Sequence, residues 1–121
     1  MAGTDRRGFK LPRAARMRRR RDFDRTFREG RKAGGKNCVV HALALPGERR
    51  LLGVVCGRRV GGAVVRNRVK RRLRGIFRTH PEHFRDGWWF VAVAKPPAAD
   101  LPFRELEREV TAALAELTGR A

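Results

Sequence analysis

Acidic residues are scarce in this sequence of 121 residues. Only 12 Asp and Glu residues stand against 30 Lys and Arg residues, so the formal net charge is +18. Such an imbalance destabilises a compact chain through self-repulsion unless a polyanion neutralises it. Solubility alone requires far less charge. The composition therefore predicts a nucleic-acid-binding domain, since a strongly basic surface is the electrostatic footprint of that class.

Cysteine is rare as well, and long apolar runs are absent. Cys38 and Cys56 stand inside short apolar stretches rather than in a spaced framework, so we expect buried, reduced thiols and no disulfide scaffold. No apolar run approaches the roughly 20 residues that a membrane-spanning helix requires. The N-terminal residues are polar and Arg-rich, without an apolar signal core. A cytoplasmic protein of one domain, with no membrane partner, is the expected class.

The few acidic side chains do not form a recognisable catalytic or metal site. A nuclease that acts alone needs paired carboxylates for Mg²⁺ or a histidine-based acid–base pair. Asp22 and Asp24 diverge on a helix and cannot chelate one ion together. His80 and His83 are interrupted by Pro81, and no further ligand stands at a suitable spacing. We therefore expect no catalytic residue, no bound metal and no small-molecule substrate in this chain.

Apolar periodicity predicts the order helix, strands, helix, strand, helix, in an α/β sandwich with a small sheet. The predicted elements are a helix over 22–29, a loop or short edge strand over 32–36, strands over 38–45 and 51–56, a helix over 63–78, a strand over 88–94 and a helix over 102–117. Turn residues at 46–49 favour a hairpin between the first two strands. Asp22 and Asp100 are predicted helix caps. Residues 1–21 are predicted to form a flexible basic arm, followed by one domain over 22–119.

The helix over 63–78 is the densest basic feature of the chain. Its apolar arc comprises Val65, Val69, Leu73, Ile76 and Phe77, whereas the opposite arc is cationic, and residues 58–78 contain no Asp or Glu. An ordinary solvated helix intersperses carboxylates four residues away to relieve repulsion. The helix is therefore predicted to bind RNA. Arg66 projects into the apolar arc, so it lies either beyond the end of the core or in a cleft.

The segment Gly61–Arg71, which reads Gly-Gly-Ala-Val-Val-Arg-Asn-Arg-Val-Lys-Arg, resembles the Arg-Asn-Arg signature helix of the protein component of bacterial ribonuclease P. The resemblance extends to Leu11-Pro12, to Asp22-Phe23 with Phe27, and to the segments 54–60 and 91–97. It implies a sandwich around a four-stranded sheet, with a left-handed β–α–β crossover through the signature helix. That handedness departs from a rule obeyed in about 98% of parallel crossovers.

The resemblance also implies a function. The chain would be the protein subunit of a ribonucleoprotein that removes 5′ leaders from precursor tRNA. The RNA subunit and its Mg²⁺ ions would hydrolyse the phosphodiester, and the protein would be a monomer in a 1:1 complex, with no cofactor of its own. The positions implied to bind the RNA subunit are Arg58, Arg59, Arg66, Asn67, Arg68, Lys70, Arg71 and Arg74.

The family holds the single-stranded leader in a cleft between the first helix and the sheet, and the corresponding positions here are Phe23, Phe27 and His41. Exposed aromatic side chains stack on unpaired bases with little sequence preference. The alternative for the two phenylalanines is core packing. His41 stands where the family commonly has an aromatic residue such as Tyr, and Gly62 and Lys95 stand where Asn and Arg are common.

Three other classes compete with this interpretation. A ribosomal or other structural RNA-binding protein would share the charge but show no preference for precursor over mature tRNA. A metal-dependent nuclease would cleave without an RNA partner. A DNA-binding protein would be expected to show a recognition-helix dimer signature, which the sequence lacks.

Overall fold

The computed structural model describes residues 11–119 of the chain. Within this range four strands form one mixed sheet, and three α-helices pack on its two faces. The helices are α1 (Arg20–Glu29), α2 (Ala63–Arg78) and α3 (Phe103–Thr118), and the strands are β1 (Arg31–Gly34), β2 (Cys38–Ala44), β3 (Leu51–Cys56) and β4 (Trp88–Ala94). Short 3-10 helices lie at Arg13–Ala15, Arg58–Val60 and Pro96–Asp100.

The strand order is β1-β2-β4-β3, so β4 occupies the interior of the sheet. The predicted hairpin between β2 and β3 is wrong: β2 pairs antiparallel with β1 and β4, and β3 pairs parallel with β4. The turn after β2 bonds to the start of β4 instead, since Leu45 N–H donates to Gly87 O and Gly87 N–H donates to Glu48 O, each at 2.8 Å. The strand β4 consists of seven consecutive apolar residues, as expected for an interior strand that is buried on both faces of the sheet.

The helix α2 connects β3 to β4. Parallel neighbours cannot be joined by a tight turn and need a crossover. The helix of this crossover begins at Ala63 and ends at Arg78, the predicted bounds. The left-handed course of this crossover stays a prediction from the family resemblance.

The main core lies between the sheet and the helices α2 and α3. Alternate residues of β2 face it, so Cys38, Val40 and Ala42 are buried. The predicted apolar arc of α2 is confirmed, with four of its residues buried and Val65 half-buried against them. Because this arc faces inward, the cationic arc of α2 lies at the surface.

The helix α1 packs on the opposite face of the sheet, against β2 and β4. A second, smaller cluster centred on Met17, Trp89 and Val91 lies there. Two predicted caps are wrong: α1 begins at Arg20, two residues before the predicted start, with Arg19 at its cap, and Pro102 rather than Asp100 precedes α3. Asp22 instead lies in the first turn of α1, where its charge favours the helix dipole.

The predicted boundary at residue 21 lies inside the packed domain. Leu11, Ala15 and Met17 are all buried, and Met17 N–H donates to Leu52 O at 2.9 Å along the free edge of β3. Buried apolar side chains alternating with arginines anchor this segment. Residues 1–10 of the predicted arm lie outside the described residues.

Both cysteines are free and buried, as predicted. In the strand register both cysteines pair with Ala94 of β4, Cys38 from β2 and Cys56 from β3. Burial raises the pKa of Cys38 to about 12, so its thiol stays protonated.

Candidate nucleic-acid interface

The sheet face under α1 carries a row of side chains that crosses all four strands. Lys32, His41, Val91 and Gly53 are successive partners in the register from β1 to β3. The next row, nearer the ends of β3 and β4, holds the half-buried Val39, Val93 and Val55. Together with Phe23 and Phe27 of α1, these two rows form a surface that we call the aromatic cleft.

Phe23 lies directly over Gly53 at one side of the cleft. A Cβ atom at residue 53 would come within 2.6 Å of Cζ of Phe23, so the ring occupies the space that only glycine leaves open. The ring is half-buried and also packs against the smaller cluster. Phe23 therefore packs on the sheet and also lines the aromatic cleft, and its leader-binding role stays a prediction.

Phe27 and His41 form the other side of the cleft. Their ring centroids are 4.7 Å apart at an interplanar angle of 86°, an edge-to-face contact. Phe27 is 40% exposed, so core packing does not account for it. Burial, and then the nearby charge of Lys32, lower the pKa of His41 below its usual value, which favours the neutral imidazole. The pair presents two aromatic rings at this side of the cleft.

The cations of α2 fall into separate rows with different surroundings. Arg68 donates to Ala99 O at 3.0 Å, and Arg72 donates to Leu101 O at 3.2 Å. These two arginines hold the segment that leads into α3. Arg68, one of the predicted RNA-binding residues, therefore uses part of its guanidinium inside the fold.

A second row of α2 comprises Arg66, Lys70 and Arg74, which are half-buried beside β3. Lys70 and Arg66 lie close enough to Cys56 to oppose the effect of burial, which raises the pKa of that thiol. Arg66 thus lies alongside the edge strand, on the side of α2 that faces Cys56. Its Nε atom is buried and, among the described residues, has no hydrogen-bond partner.

Asn67 and Arg71 lie fully at the surface of α2, and Arg58 and Arg59 are exposed on the 3-10 helix that precedes it. We call the predicted set the basic ridge: Arg58, Arg59, Arg66, Asn67, Arg68, Lys70, Arg71 and Arg74. Among residues 11–119, no carboxylate lies within ion-pair distance of these cations; the Arg–carboxylate ion pairs there lie on α1. The charge of the ridge is not neutralised within this part of the fold.

Sequence reasoning missed two arginines that extend this surface. Arg16 and Arg18, from the segment along β3, line a pocket of about 310 Å³ together with Arg74 and Phe23. The alternation of buried Ala15 and Met17 with these arginines was the available signal, since period-two alternation indicates an extended segment with one buried side.

The part of the chain that the structure describes contains no group of three or more His, Cys, Asp or Glu side chains able to hold a metal ion. The two histidines considered above have partners in the fold: His80 contacts Ile76 O at 2.7 Å and His83 contacts Thr118 Oγ1 at 3.0 Å. Over the same range, none of the helices has the length and apolar character needed to cross a membrane.

Comparison with known proteins gives one consistent result. Residues 11–118 match the family model described as Ribonuclease P. The ribonuclease P protein component of Beutenbergia cavernae is 46% identical over 112 residues, which cover 92% of this chain and 94% of that protein. The corresponding protein of Symbiobacterium thermophilum is 38% identical over 101 residues, covering 83% and 88%.

Solved structures of ribonuclease P proteins are similar as well. The protein from Staphylococcus aureus aligns with a TM-score of 0.77 at 25% identity, covering 86% of this chain and 95% of that one. The protein from Thermotoga maritima aligns with a TM-score of 0.71 at 27% identity, covering 88% and 97%.

Proposed function

Because the chain belongs to the family of ribonuclease P protein components and serves as the protein subunit of that ribonucleoprotein, we propose a division of labour between its two surfaces. The basic ridge binds the catalytic RNA. The aromatic cleft binds the single-stranded 5′ leader of precursor tRNA. The chain would thereby hold substrate and RNA subunit together while the leader is removed.

The observation that carries this proposal is the lack of internal neutralisation on α2. Cations packed this closely repel one another, and no carboxylate of residues 11–119 pairs with them. Phosphates of a structured RNA would supply the missing negative charge, and the planar guanidinium of Arg binds phosphate oxygens in a bidentate manner. A structural RNA-binding protein would need the ridge alone, whereas this chain also has an aromatic cleft beside it.

The cleft fits a single strand of variable sequence. Stacking on Phe27 and His41 uses the π-face that every base has, and the valine row of the sheet adds an apolar floor. Hydrogen bonds from Lys32 would reach phosphate oxygens rather than base edges, so they would not select a sequence. A subunit that processes many precursors needs this tolerance.

The chemistry belongs to the RNA in this proposal. The RNA subunit would bind the Mg²⁺ ions that promote hydrolysis, and the protein would lower the free Mg²⁺ that the complex requires by neutralising phosphates. One protein would act with one RNA, in the cytoplasm where tRNA is matured. The protein itself would contribute binding and orientation.

The test mixes the purified protein with a bacterial ribonuclease P RNA and a tRNA that carries a 5′ extension, at low Mg²⁺. We expect the protein to stimulate cleavage at the mature 5′ end, while neither the protein alone nor the RNA alone cleaves efficiently. Absence of stimulation would refute the proposed function. Cleavage by the protein without RNA would favour the nuclease alternative instead.

A further inference from the structure

The pocket beside Phe23 lies between the two surfaces of the proposed function. Its cations are Arg16 and Arg18 of the N-terminal segment and Arg74 of α2, and none of its lining residues is acidic. Phe23, Leu52 and Val54 form its apolar side. The pocket therefore combines three guanidinium groups with a small apolar wall.

Arg16 and Arg74 lie on the wall of the same pocket. Burial lowers the pKa of Arg74, and the nearby charge of Arg16 lowers it further. Both side chains are half-buried, and within residues 11–119 neither has a carboxylate partner. A like-charge pair that is partly removed from water disfavours the charged forms unless an anion lies between them.

The position of Arg16 is fixed by the fold rather than by chance contact. Its Nε donates to Leu11 O at 3.3 Å, which leaves the terminal amino groups for other acceptors. Its backbone forms a parallel bridge with Leu52 at the free edge of β3, and the adjacent Met17 is anchored by its own hydrogen bond to that residue. A pre-positioned guanidinium loses little entropy on binding an anion.

The pocket also continues both neighbouring surfaces. Arg74 is the last member of the row that begins with Arg66 and Lys70, and Phe23 is the first ring of the aromatic cleft. A strand that leaves the cleft past Phe23, toward the edge of β3, therefore meets the three arginines. Phosphate oxygens on that strand would meet charge-assisted donors at this point.

We propose that Arg16, Arg18 and Arg74 bind one phosphodiester of the precursor tRNA strand whose neighbouring bases stack in the aromatic cleft. The inference rests on the proposed function and extends it. It assigns Arg74 to the substrate strand rather than to the RNA subunit, and it adds Arg16 and Arg18 to the substrate-binding residues. The ligand is a backbone phosphate, so this contact carries no base preference.

The experiment uses the complex of the full-length protein with ribonuclease P RNA, and precursor tRNAs that each carry one neutral methylphosphonate linkage in or next to the leader. For the wild-type protein we expect one linkage at which neutralisation weakens binding by about tenfold or more, as for loss of a charge-assisted contact. In Arg16→Gln and Arg74→Gln the same linkage should cause no additional loss. Arg108→Gln, at an exposed position of α3, which packs against β1 and β2 rather than β3, should retain the full loss.

Identical linkage profiles for the wild type, Arg16→Gln and Arg74→Gln would overturn the inference while leaving the proposed function intact. Failure of the wild-type protein to stimulate cleavage at all would instead refute the proposed function. Thermal unfolding of the free protein gives a second readout. Arg74→Gln removes one of two neighbouring like charges and should leave Tm unchanged or raise it, whereas a clearly lower Tm for this variant would assign the pair to the fold and contradict a phosphate-binding role. Arg16→Gln also loses the hydrogen bond to Leu11 O, so its Tm is not used for this comparison.

Discussion

At the residue scale, the same residue type serves different purposes at neighbouring positions of α2. Arg68 and Arg72 donate to backbone carbonyls of the segment before α3, whereas Arg71 points to solvent. Sequence spacing predicted a cationic arc but could not show which members reach Ala99 and Leu101, since those carbonyls lie about 30 residues away along the chain. The Phe27–His41 contact likewise depends on how α1 crosses the sheet.

Phe27 offers the sharpest residue-scale prediction. Phe27→Ala should weaken binding of leader-bearing tRNA by about 1–3 kcal/mol, the contribution of one stacked base, because the exposed ring of the cleft is lost. Binding of mature tRNA, which has no leader, should not change. Affinities of both tRNAs for the reconstituted complex measure this difference, and equal losses for the two would exclude the leader role of the cleft.

At the element scale, the sequence predicts the individual helices and strands better than it predicts how the strands pair. The helix over 63–78 and the strands over 51–56 and 88–94 have the predicted bounds, because periodicity and breakers are local signals. The pairing of β2 with β4 is not local, so the turn at 46–49 gave a wrong hairpin. The apolar residues on both faces of β4 indicate an interior strand, but this position becomes clear only when β4 is compared with the other strands.

Another non-local contact fixes the turn between β1 and β2. The carboxylate of Glu109 in α3 accepts hydrogen bonds from Asn37 N–H, Asn37 Nδ2 and Cys38 N–H, at 3.0, 2.7 and 2.9 Å. Hydrogen bonds to a charged group contribute about 1.5–3 kcal/mol. The helix α3 therefore holds the edge hairpin that carries Lys32 into the cleft.

Glu109→Ala should lower the free energy of unfolding by about 1–3 kcal/mol, because two backbone N–H groups and an amide lose their acceptor. Urea denaturation of the free protein measures the change. Glu116→Ala, at an exposed position of the same helix, is the matched control and should change stability by less than about 0.5 kcal/mol. Similar values for the two variants would show that the Glu109 contact does not stabilise the turn.

At the scale of the whole molecule, charge and fold are separable. The core between the sheet and the helices α2 and α3 is apolar, and the cations lie outside it, so the net charge of +18 bears on partners rather than on the fold. Composition alone predicts a polyanionic partner. The specific partner follows only from the family, because many RNA-binding proteins share a basic surface.

The salt dependence of binding between the protein and ribonuclease P RNA tests the central claim most directly, namely that the basic ridge is neutralised by RNA phosphates. We predict that log Kd rises steeply and linearly with log salt concentration, and that Arg71→Gln reduces this slope by about 0.7–0.9, the contribution of one phosphate. A shallow slope for the wild type, or an unchanged slope for Arg71→Gln, would contradict the account.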